Sequence, residues 1–182
     1  MLFQNDKLVV RTLTLEDHLF LAKWLSDPVV LEFYEGRDNP FSEEKVLKKF
    51  YNRNDGTYRC IVEYERISIG YIQFYPLDDE DKKDYGYFDT NPIYGMDQFI
   101  GEPYYWNQGI GQLLVQSMVQ FLIKEKQAEK IVMDPQTWNE RAIRCYEKSG
   151  FKKVKLLPKH ELHEGEYRDC WLIEFNSNDM LS

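Results

Sequence analysis

The sequence predicts a single α/β (α+β-like) domain built on a mixed, mostly antiparallel β-sheet. Several β-rich segments are joined by short polar connections, and one long amphipathic segment links two of them as a crossover helix would. A length of 182 residues is typical of one domain, and 43% hydrophobic with 15% aromatic residues is enough to form a core. We therefore expect one domain over residues 1–182, with its core near residues 7–175.

About seven strands and about four helices are predicted, in the order β-α-α-β-β-β-α-β-α-β-β. Strands are predicted at residues 7–13, 57–64, 67–75, 93–101, 130–134, 151–157 and 167–175. Helices are predicted near residues 15–26 and 43–52, from residue 109 onward, and near 139–149.

Cap and turn residues mark the element boundaries. Thr14 and Ser42 are N-cap candidates for the first two helices, because a hydroxyl accepts a hydrogen bond from a free amide of the first turn. The polar pair Glu65-Arg66 suits a hairpin. Polar loops are predicted at residues 27–42, 78–84 and 159–166.

The second half of the chain opens with the longest amphipathic segment. From Gly109, apolar side chains recur at helical spacing, and the stripe contains Leu114, Met118, Phe121 and Leu122. Gly150 stands where a glycine commonly ends a helix, after the segment that contains Tyr146.

The acidic composition argues against a nucleic-acid partner. The formal net charge is −8, whereas proteins that bind nucleic acid are usually basic. The excess of carboxylates weakly favours a cationic ligand. Solubility alone explains the same excess.

Cysteine usage, the N-terminus and hydropathy favour the cytoplasm. The three cysteines are odd in number and unclustered, which indicates neither a disulfide framework nor a metal site. The first residues lack the basic and apolar regions of a signal peptide, and no apolar run approaches membrane-spanning length. His18, His160 and His163 lack metal-ligand spacing, so we expect surface or loop positions and no metal.

A glycine turn at Gly109-Ile110-Gly111 follows a largely apolar strand and opens a helix. The free N–H groups of a helix N-terminus, at the positive end of its dipole, bind phosphate. The signal is weak, since Leu114 stands where a dinucleotide fingerprint would have its third glycine. A pyrophosphate site and an ordinary flexible turn both remain open.

Three further residues are candidates for chemistry. Asp97 lies in an apolar strand beside the possible anion site, where a buried carboxylate needs a partner; the alternative is a solvent-facing strand residue. Tyr146 falls on the apolar stripe of its helix, which on spacing alone indicates a tyrosine at the edge of the core. Asp134 ends a strand, where ligand crevices often lie, although simple turn chemistry also explains it.

The Asp97 strand, the turn at residues 108–111 and the helix at residues 139–151 together resemble the GNAT family of acetyl-CoA-dependent N-acetyltransferases. The segments 31–38, 94–103 and 160–165 are similar to the aminoglycoside 6′-N-acetyltransferase branch of that family. The resemblance extends over residues 7–175. One departure is Trp106, which stands where the usual cofactor motif has Arg or Gln.

The resemblance implies acetyl-CoA as the co-substrate. Its pyrophosphate would lie on backbone amides of the glycine turn, and its pantetheine would pair like an added strand with the end of the Asp97 strand. The implied cofactor-binding residues are Phe99, Ile100, Asn107, Gln108, Gly109, Ile110, Gly111, Gln112 and Asn139.

The resemblance also implies direct transfer of the acetyl group to a neutral amine. Asp97 would orient and deprotonate that amine, and Tyr146 would protonate the departing thiolate. The implied partner is a polycationic aminoglycoside, with a monomer or weak dimer as the assembly. Its implied contacts are Phe33, Tyr34, Asp97, Asp134, Glu161 and Glu164, with Asp81 as a further acidic residue.

Two other functions remain open. A GNAT enzyme could act on a ribosomal-protein N-terminus or a polyamine, since the turn that contains Trp106 also resembles ribosomal-protein acetyltransferases. A non-enzymatic acyl-CoA or drug-binding module is the second alternative. The presence of both Asp97 and Tyr146 speaks against it, because a pure binder needs neither.

Overall fold

The computed structural model describes residues 1–181, which contain eight strands and six α-helices. The strands are β1 Phe3–Asn5, β2 Leu8–Thr12, β3 Tyr58–Tyr64, β4 Ile67–Pro76, β5 Ile93–Ile100, β6 Lys130–Met133, β7 Lys152–His163 and β8 Glu166–Asn176. The helices are α1 His18–Trp24, α2 Pro28–Leu31, α3 Glu43–Phe50, α4 Asp79–Tyr85, α5 Ile110–Lys126 and α6 Glu140–Lys148. Three 3₁₀ turns are Leu15–Asp17, Pro103–Tyr105 and Ser177–Leu181.

The strands form one mixed sheet in the order β1-β2-β3-β4-β5-β6-β8-β7. Strand β5 pairs in parallel with β6, with Ile93 opposite Lys130, while β6 pairs antiparallel with β8. A parallel pair needs a crossover connection, and α5 lies in the segment that joins β5 to β6. The predicted fold class and the crossover helix are confirmed.

The β3–β4 connection is the predicted hairpin. Its two residues, Glu65 and Arg66, have φ angles of 50° and 68°. Positive φ at both central positions is typical of a type I′ turn, whose twist matches that of the flanking strands.

The chain divides into two compact units, each with its own buried cluster. The first unit comprises residues Met1–Gln73, Gln98–Gly111 and Leu162–Glu166. Its core packs α1, α2 and α3 against β3 to β5 through Trp24, Leu31, Ile61, Tyr71 and Phe99, among other buried residues.

The first unit also contains a carboxylate that is almost fully buried. Asp17 accepts hydrogen bonds from both terminal nitrogens of Arg11, at 2.8 and 2.9 Å, and from the backbone N–H of Thr14 at 2.8 Å. Only 4% of the Asp17 side chain is exposed. Thr14 and Asp17 complete a capping box, so the predicted helix start is confirmed although Asp replaces the usual Glu or Gln.

The second unit comprises Phe74–Asp97, Gln112–Glu161 and the chain from Tyr167. A cluster of buried residues forms its core: Leu77, Ile93, Val132, Leu157, Cys170 and Leu172. Leu114, Met118 and Leu122 of the predicted α5 stripe are buried, whereas Phe121 is only partly buried.

Two loop predictions were wrong, and a third, for residues 27–42, was wrong only at residues 28–31. Residues 79–85 form α4, capped by Asp78 and ended by Gly86 at φ 85°. None of its residues is fully buried, because its sequence carries no apolar stripe. Residues 28–31 form α2, because Asp27 caps it and Pro28 occupies its first turn.

The third correction concerns residues 159–166, which belong to β7, β8 and the tight turn between them. Strand β7 lies at the edge of the sheet and buries only Leu157 and His163, so it lacks the alternation that identifies a strand. His160 and His163 are therefore strand residues. His160 is exposed, as expected, whereas His163 is only 5% exposed rather than superficial.

In the described part of the chain, no helix combines the length and hydropathy needed to cross a membrane.

Candidate active site

Strand β5 carries Asp97 two residues before Phe99, on the same face of the strand. Asp97 is half-buried. The Phe99 ring packs 4.5 Å from Tyr34 and 5.6 Å from Tyr71, measured between ring centroids. The side chain of Phe99 is thus part of the core of the first unit, and only its backbone could contact a cofactor.

The turn between β5 and α5 is tightly packed at its start and exposed at its end. A Cβ at Gly101 would lie 2.2 Å from the Trp24 ring. After the 3₁₀ turn, Asn107 and Gly109 have φ angles of 61° and 80°, and residues 107–109 are exposed. The N-terminus of the 17-residue helix α5 therefore presents its first N–H groups, which have no acceptor within the helix, beside an accessible backbone.

Trp106 connects this turn to the end of β5. Its indole Nε1–H donates to the carbonyl oxygen of Ile100 at 2.9 Å. Its ring packs edge-on against Phe33, with 5.7 Å between centroids. Trp106, which departs from the usual cofactor motif, therefore contacts both the end of β5 and Phe33.

Glu164, at the turn between β7 and β8, is held by Arg37. The guanidinium donates to both carboxylate oxygens at 2.9 to 3.0 Å, and Nε2 of His163 lies 3.6 Å from Oε1. The pair joins Glu164 to the segment that carries Phe33 and Tyr34 within the first unit. The negative charge of Glu164 is therefore largely neutralised within the protein.

Asp134 lies directly after β6 in the second unit and accepts two hydrogen bonds at one oxygen. Oδ2 is 3.1 Å from the Tyr85 hydroxyl, which donates to it, and 2.9 Å from Nε2 of His160. The Asp134 side chain is 28% exposed, so solvent still reaches it.

The surroundings of Asp134 are rich in carboxylates. Burial raises the pKa of Tyr75, and the charges of Asp97 and Asp134 raise it further. Burial likewise raises the pKa of Tyr85, with Asp134 as the next cause. Burial and neighbouring carboxylates raise the pKa of Asp81. We define the acidic cluster as Tyr75, Asp81, Tyr85, Asp97, Asp134, His160 and Glu161. Its several carboxylates would attract a polycation.

Glu161 is oriented by its neighbours. Its Oε1 accepts a hydrogen bond from Nε2 of Gln136 at 3.0 Å, and the Cys170 thiol lies 3.9 Å from Oε2. Gln136 is nearly buried and is held by its bridge to Cys170. The carboxylate is thus placed by a packed amide rather than free to swing.

Helix α6 carries the last two candidates. The side-chain oxygen of Asn139 caps the helix by accepting from the Ala142 N–H at 3.4 Å, which leaves its amide nitrogen as the donor for a ligand. Tyr146 is half-buried and packs 6.4 Å from Phe151 between ring centroids, so its ring lies at the edge of the core.

Within the first unit, Phe33, Tyr34, Phe99, Ile100 and Glu164 are linked through Trp106 and Arg37. Within the second unit, Asp97 and Asp134 both act on Tyr75. Sequence reasoning did not identify Tyr75, Tyr85, Arg37 or the role of His160. A run of aromatic and acidic residues before β5 is the only local sequence signal for Tyr75 and Tyr85. No local signal predicts the pairs Arg37–Glu164 and His160–Asp134.

The sequence matches a family of acetyltransferases. The profile of a family described as an acetyltransferase (GNAT) domain matches residues 14–158. The chain is 31% identical over 158 residues to an aminoglycoside N(6')-acetyltransferase type 1 from Klebsiella pneumoniae, covering 82% of this chain and 76% of that one.

Solved structures share the fold. AAC(6')-Ib in complex with ribostamycin and coenzyme A superposes with a TM-score of 0.81 at 23% identity, covering 96% of each chain. Spermidine N-acetyltransferase from Vibrio cholerae, in complex with CoA and spermine, has a TM-score of 0.78 at 17% identity, covering 98% of this chain and 100% of the other.

Proposed function

Because this chain belongs to the GNAT acetyltransferase family, we propose that it transfers an acetyl group from acetyl-CoA to the 6′-amine of aminoglycosides, and so confers resistance to them. The observation that carries this proposal is the 31% identity to an aminoglycoside N(6')-acetyltransferase over most of both chains. The acidic cluster supports it independently, since an aminoglycoside is a polycation.

For the cofactor, we propose that the pyrophosphate of acetyl-CoA binds the amides of residues 107–112. The exposed turn and the dipole of α5 support this, because both favour an anion. The pantetheine would pair with the backbone at Phe99 and Ile100, and the amide nitrogen of Asn139 would donate to the cofactor.

In the proposed reaction, the neutral 6′-amine attacks the thioester carbonyl, a C–N bond forms and the C–S bond breaks. A primary amine with a pKa near that of lysine, about 10.4, is mostly protonated at neutral pH, so a proton acceptor is needed. Asp97 takes that role and Tyr146 returns a proton to the CoA thiolate. No acyl-enzyme is invoked, and burial raises the pKa of the Cys60 thiol to about 12, which makes it a poor nucleophile.

For the drug, we propose that Asp134, Glu161 and Asp97 bind ammonium groups, while Phe33 and Tyr34 pack against sugar rings. Asp81 contributes charge. Glu164 contacts the drug with only a residual charge, because Arg37 already neutralises it. All three cysteines are unpaired, which suits a reducing compartment, so the proposed location is the cytoplasm and the proposed assembly a monomer or weak dimer.

The test is thiol release from acetyl-CoA in the presence of kanamycin, spermidine or an N-terminal peptide. We expect turnover with kanamycin and a product acetylated at the 6′-nitrogen, as mapped by NMR. Analogues with a 6′-hydroxyl should be poor substrates, because a neutral amine is the better nucleophile. Turnover with spermidine or peptide but not with kanamycin would mean that the acetyl acceptor is a polyamine or a protein N-terminus rather than an aminoglycoside. No turnover with any amine would reject the enzymatic function.

A further inference from the structure

Asp134, the carboxylate proposed to bind an ammonium group of the drug, already has two hydrogen-bonding partners within the protein. His160 and Tyr85 both contact Oδ2 of Asp134, at 2.9 and 3.1 Å. The three side chains come from separate elements: Asp134 follows β6, Tyr85 ends α4 and His160 belongs to β7. Of the two partners, only His160 can carry a positive charge.

A local irregularity in β7 accompanies the position of His160. The preceding residue, Lys159, has a φ angle of 46° within the strand, and its N–H donates to a carboxylate oxygen of Asp169 at 2.8 Å. A positive φ inside a strand is typical of a bulge, and bulges redirect the side chains that follow. Asp169 therefore stabilises the backbone shape that brings His160 to Asp134.

The charges that face His160 favour its protonated form. The hydrogen bond to Asp134 is the main cause of its raised pKa; burial opposes the shift, and the charges of Asp134, Glu161 and Asp84 add to it. The neutral Tyr85 ring lies 6.1 Å from the imidazole, between centroids. Carboxylates of β7, of α4 and of the segment after β6 thus all act in the same direction.

We propose that the His160 imidazolium is the resting counter-ion of Asp134, and that an ammonium group of the aminoglycoside takes its place when the drug binds. The inference rests on the proposed function. Two cations beside one carboxylate repel each other, so the arriving ammonium disfavours the imidazolium. The His160 imidazolium then gives one N–H proton to water, and no covalent bond of the drug changes in this step.

Drug affinity should consequently depend on the charge of His160. Below the pKa of His160 the drug must displace a bound cation, whereas above it Asp134 is available to the ammonium. The KM for the drug should therefore fall as pH rises, by an amount that depends on His160. His160 is a positioning residue, so kcat should not follow the same change.

The direct measurement is an NMR titration of the His160 ring protons in the whole chain, with and without saturating kanamycin at constant ionic strength. Without drug, the pKa of His160 should lie above the ordinary value of 6.5. Kanamycin should lower it by about one unit or more, as expected for a like charge placed within about 4–6 Å. Asp134→Asn should return the drug-free value toward 6.5.

The kinetic measurement compares wild type with His160→Gln, whose amide donates a hydrogen bond without carrying charge. Near pH 6, where an ordinary histidine is largely protonated, the variant should have a KM for kanamycin about 5-fold lower than wild type. The two should converge at alkaline pH. The matched control is His18→Gln, at a histidine whose Nδ1 lies 2.7 Å from the carbonyl oxygen of Leu15, and it should match wild type throughout.

A His160 titration that does not move when kanamycin is bound and acetylated would overturn the inference and leave the proposed function standing. If kanamycin neither binds nor reacts, the proposed function fails and the inference fails with it. Tyr85→Phe removes a neutral donor from the same oxygen, so the downward shift on drug binding should persist in that variant.

Discussion

The indole N–H of Trp106 donates to the carbonyl oxygen of Ile100 at 2.9 Å, and this bond ties the end of β5 to the turn that opens α5. Both proposed contacts of acetyl-CoA, the strand end and the helix N-terminus, are therefore fixed relative to each other within the first unit. An Arg or Gln in the usual motif would offer a flexible donor, whereas Trp106 is also packed against Phe33.

Trp106→Phe should weaken the binding of acetyl-CoA. The substitution keeps an aromatic ring against Phe33 and removes the donor to Ile100, so the backbone that acetyl-CoA contacts is less ordered before binding. If binding has to restore order worth about 1 kcal/mol, Kd rises about 5-fold. Isothermal titration with CoA measures it. Tyr104→Phe, at a side chain that is 80% exposed, is the control, and an unchanged Kd in the tryptophan variant would assign Trp106 to packing alone.

Gly109→Val should abolish most CoA binding if the pyrophosphate approaches the backbone there. Gly109 has φ 80° and open space around it, and Gly56 shares both features with φ 78°. Each substitution forces a branched side chain into a left-handed conformation, which costs about 1–3 kcal/mol of stability. If both variants lose the same Tm but only Gly109→Val loses affinity for CoA, the proposed site is supported. Equal CoA affinities in the two variants would place the cofactor elsewhere.

Asp97→Asn should lower kcat by a factor of about 10² to 10⁴, the usual effect of losing a general base. The amide keeps the shape of the side chain and removes the proton acceptor, while CoA affinity should hardly change. Steady-state kinetics with kanamycin measures the effect, with Asp89→Asn, at an exposed carboxylate of the second unit, as the control. A wild-type kcat at neutral pH would make Asp97 a structural carboxylate.

Tyr146→Phe should slow release of the CoA thiolate and leave the KM for the drug near normal, because the ring keeps its packing against Phe151. We expect kcat to fall about 10²-fold, at the lower end for loss of a general acid. Single-turnover kinetics separates this step from product release. Tyr167→Phe, at a tyrosine that is 65% exposed, should behave as wild type. Equal rates for the two variants would remove Tyr146 from the chemistry.

Asp17→Asn should destabilise the fold by about 2 kcal/mol, because it removes the charge from a buried ion pair with Arg11, whose guanidinium keeps Glu63 as a second partner. Glu65→Gln, in the exposed pair with Lys7, should cost far less, because solvent screens an ion pair at the surface. Urea unfolding of both variants gives the difference. A loss for Asp17→Asn no larger than that for Glu65→Gln would mean that Asp17 is not a stabilising charge.

The Asp17 contribution should also depend on pH. Burial opposes ionisation, but the hydrogen bonds from Arg11 and Thr14 outweigh it and hold the pKa of Asp17 below its ordinary value of 3.8. The stabilisation is therefore fully present above that value and is lost as pH falls through the lower, folded-state pKa. Acid unfolding of wild type should be steeper than that of Asp17→Asn.

The sequence by itself determined the elements that carry local signals. The caps at Thr14 and Ser42, the Glu65-Arg66 turn and the α5 stripe depend on residues within four positions of one another, so their spacing can be recognised without a structure. The family resemblance likewise depends on short segments. Strand β7 and helix α4 lack such signals, since β7 lies at an exposed edge and no side chain of α4 is fully buried.

Only the tertiary structure decided which charged groups meet. Asp134 and His160 are 26 residues apart, and Arg37 and Glu164 are 127 apart. No spacing rule connects such positions, because the folded path of the chain brings them together. Nor could the sequence show that Glu164 is paired with Arg37, which always carries a charge, whereas Asp134 is hydrogen-bonded to His160, which can gain or lose a proton.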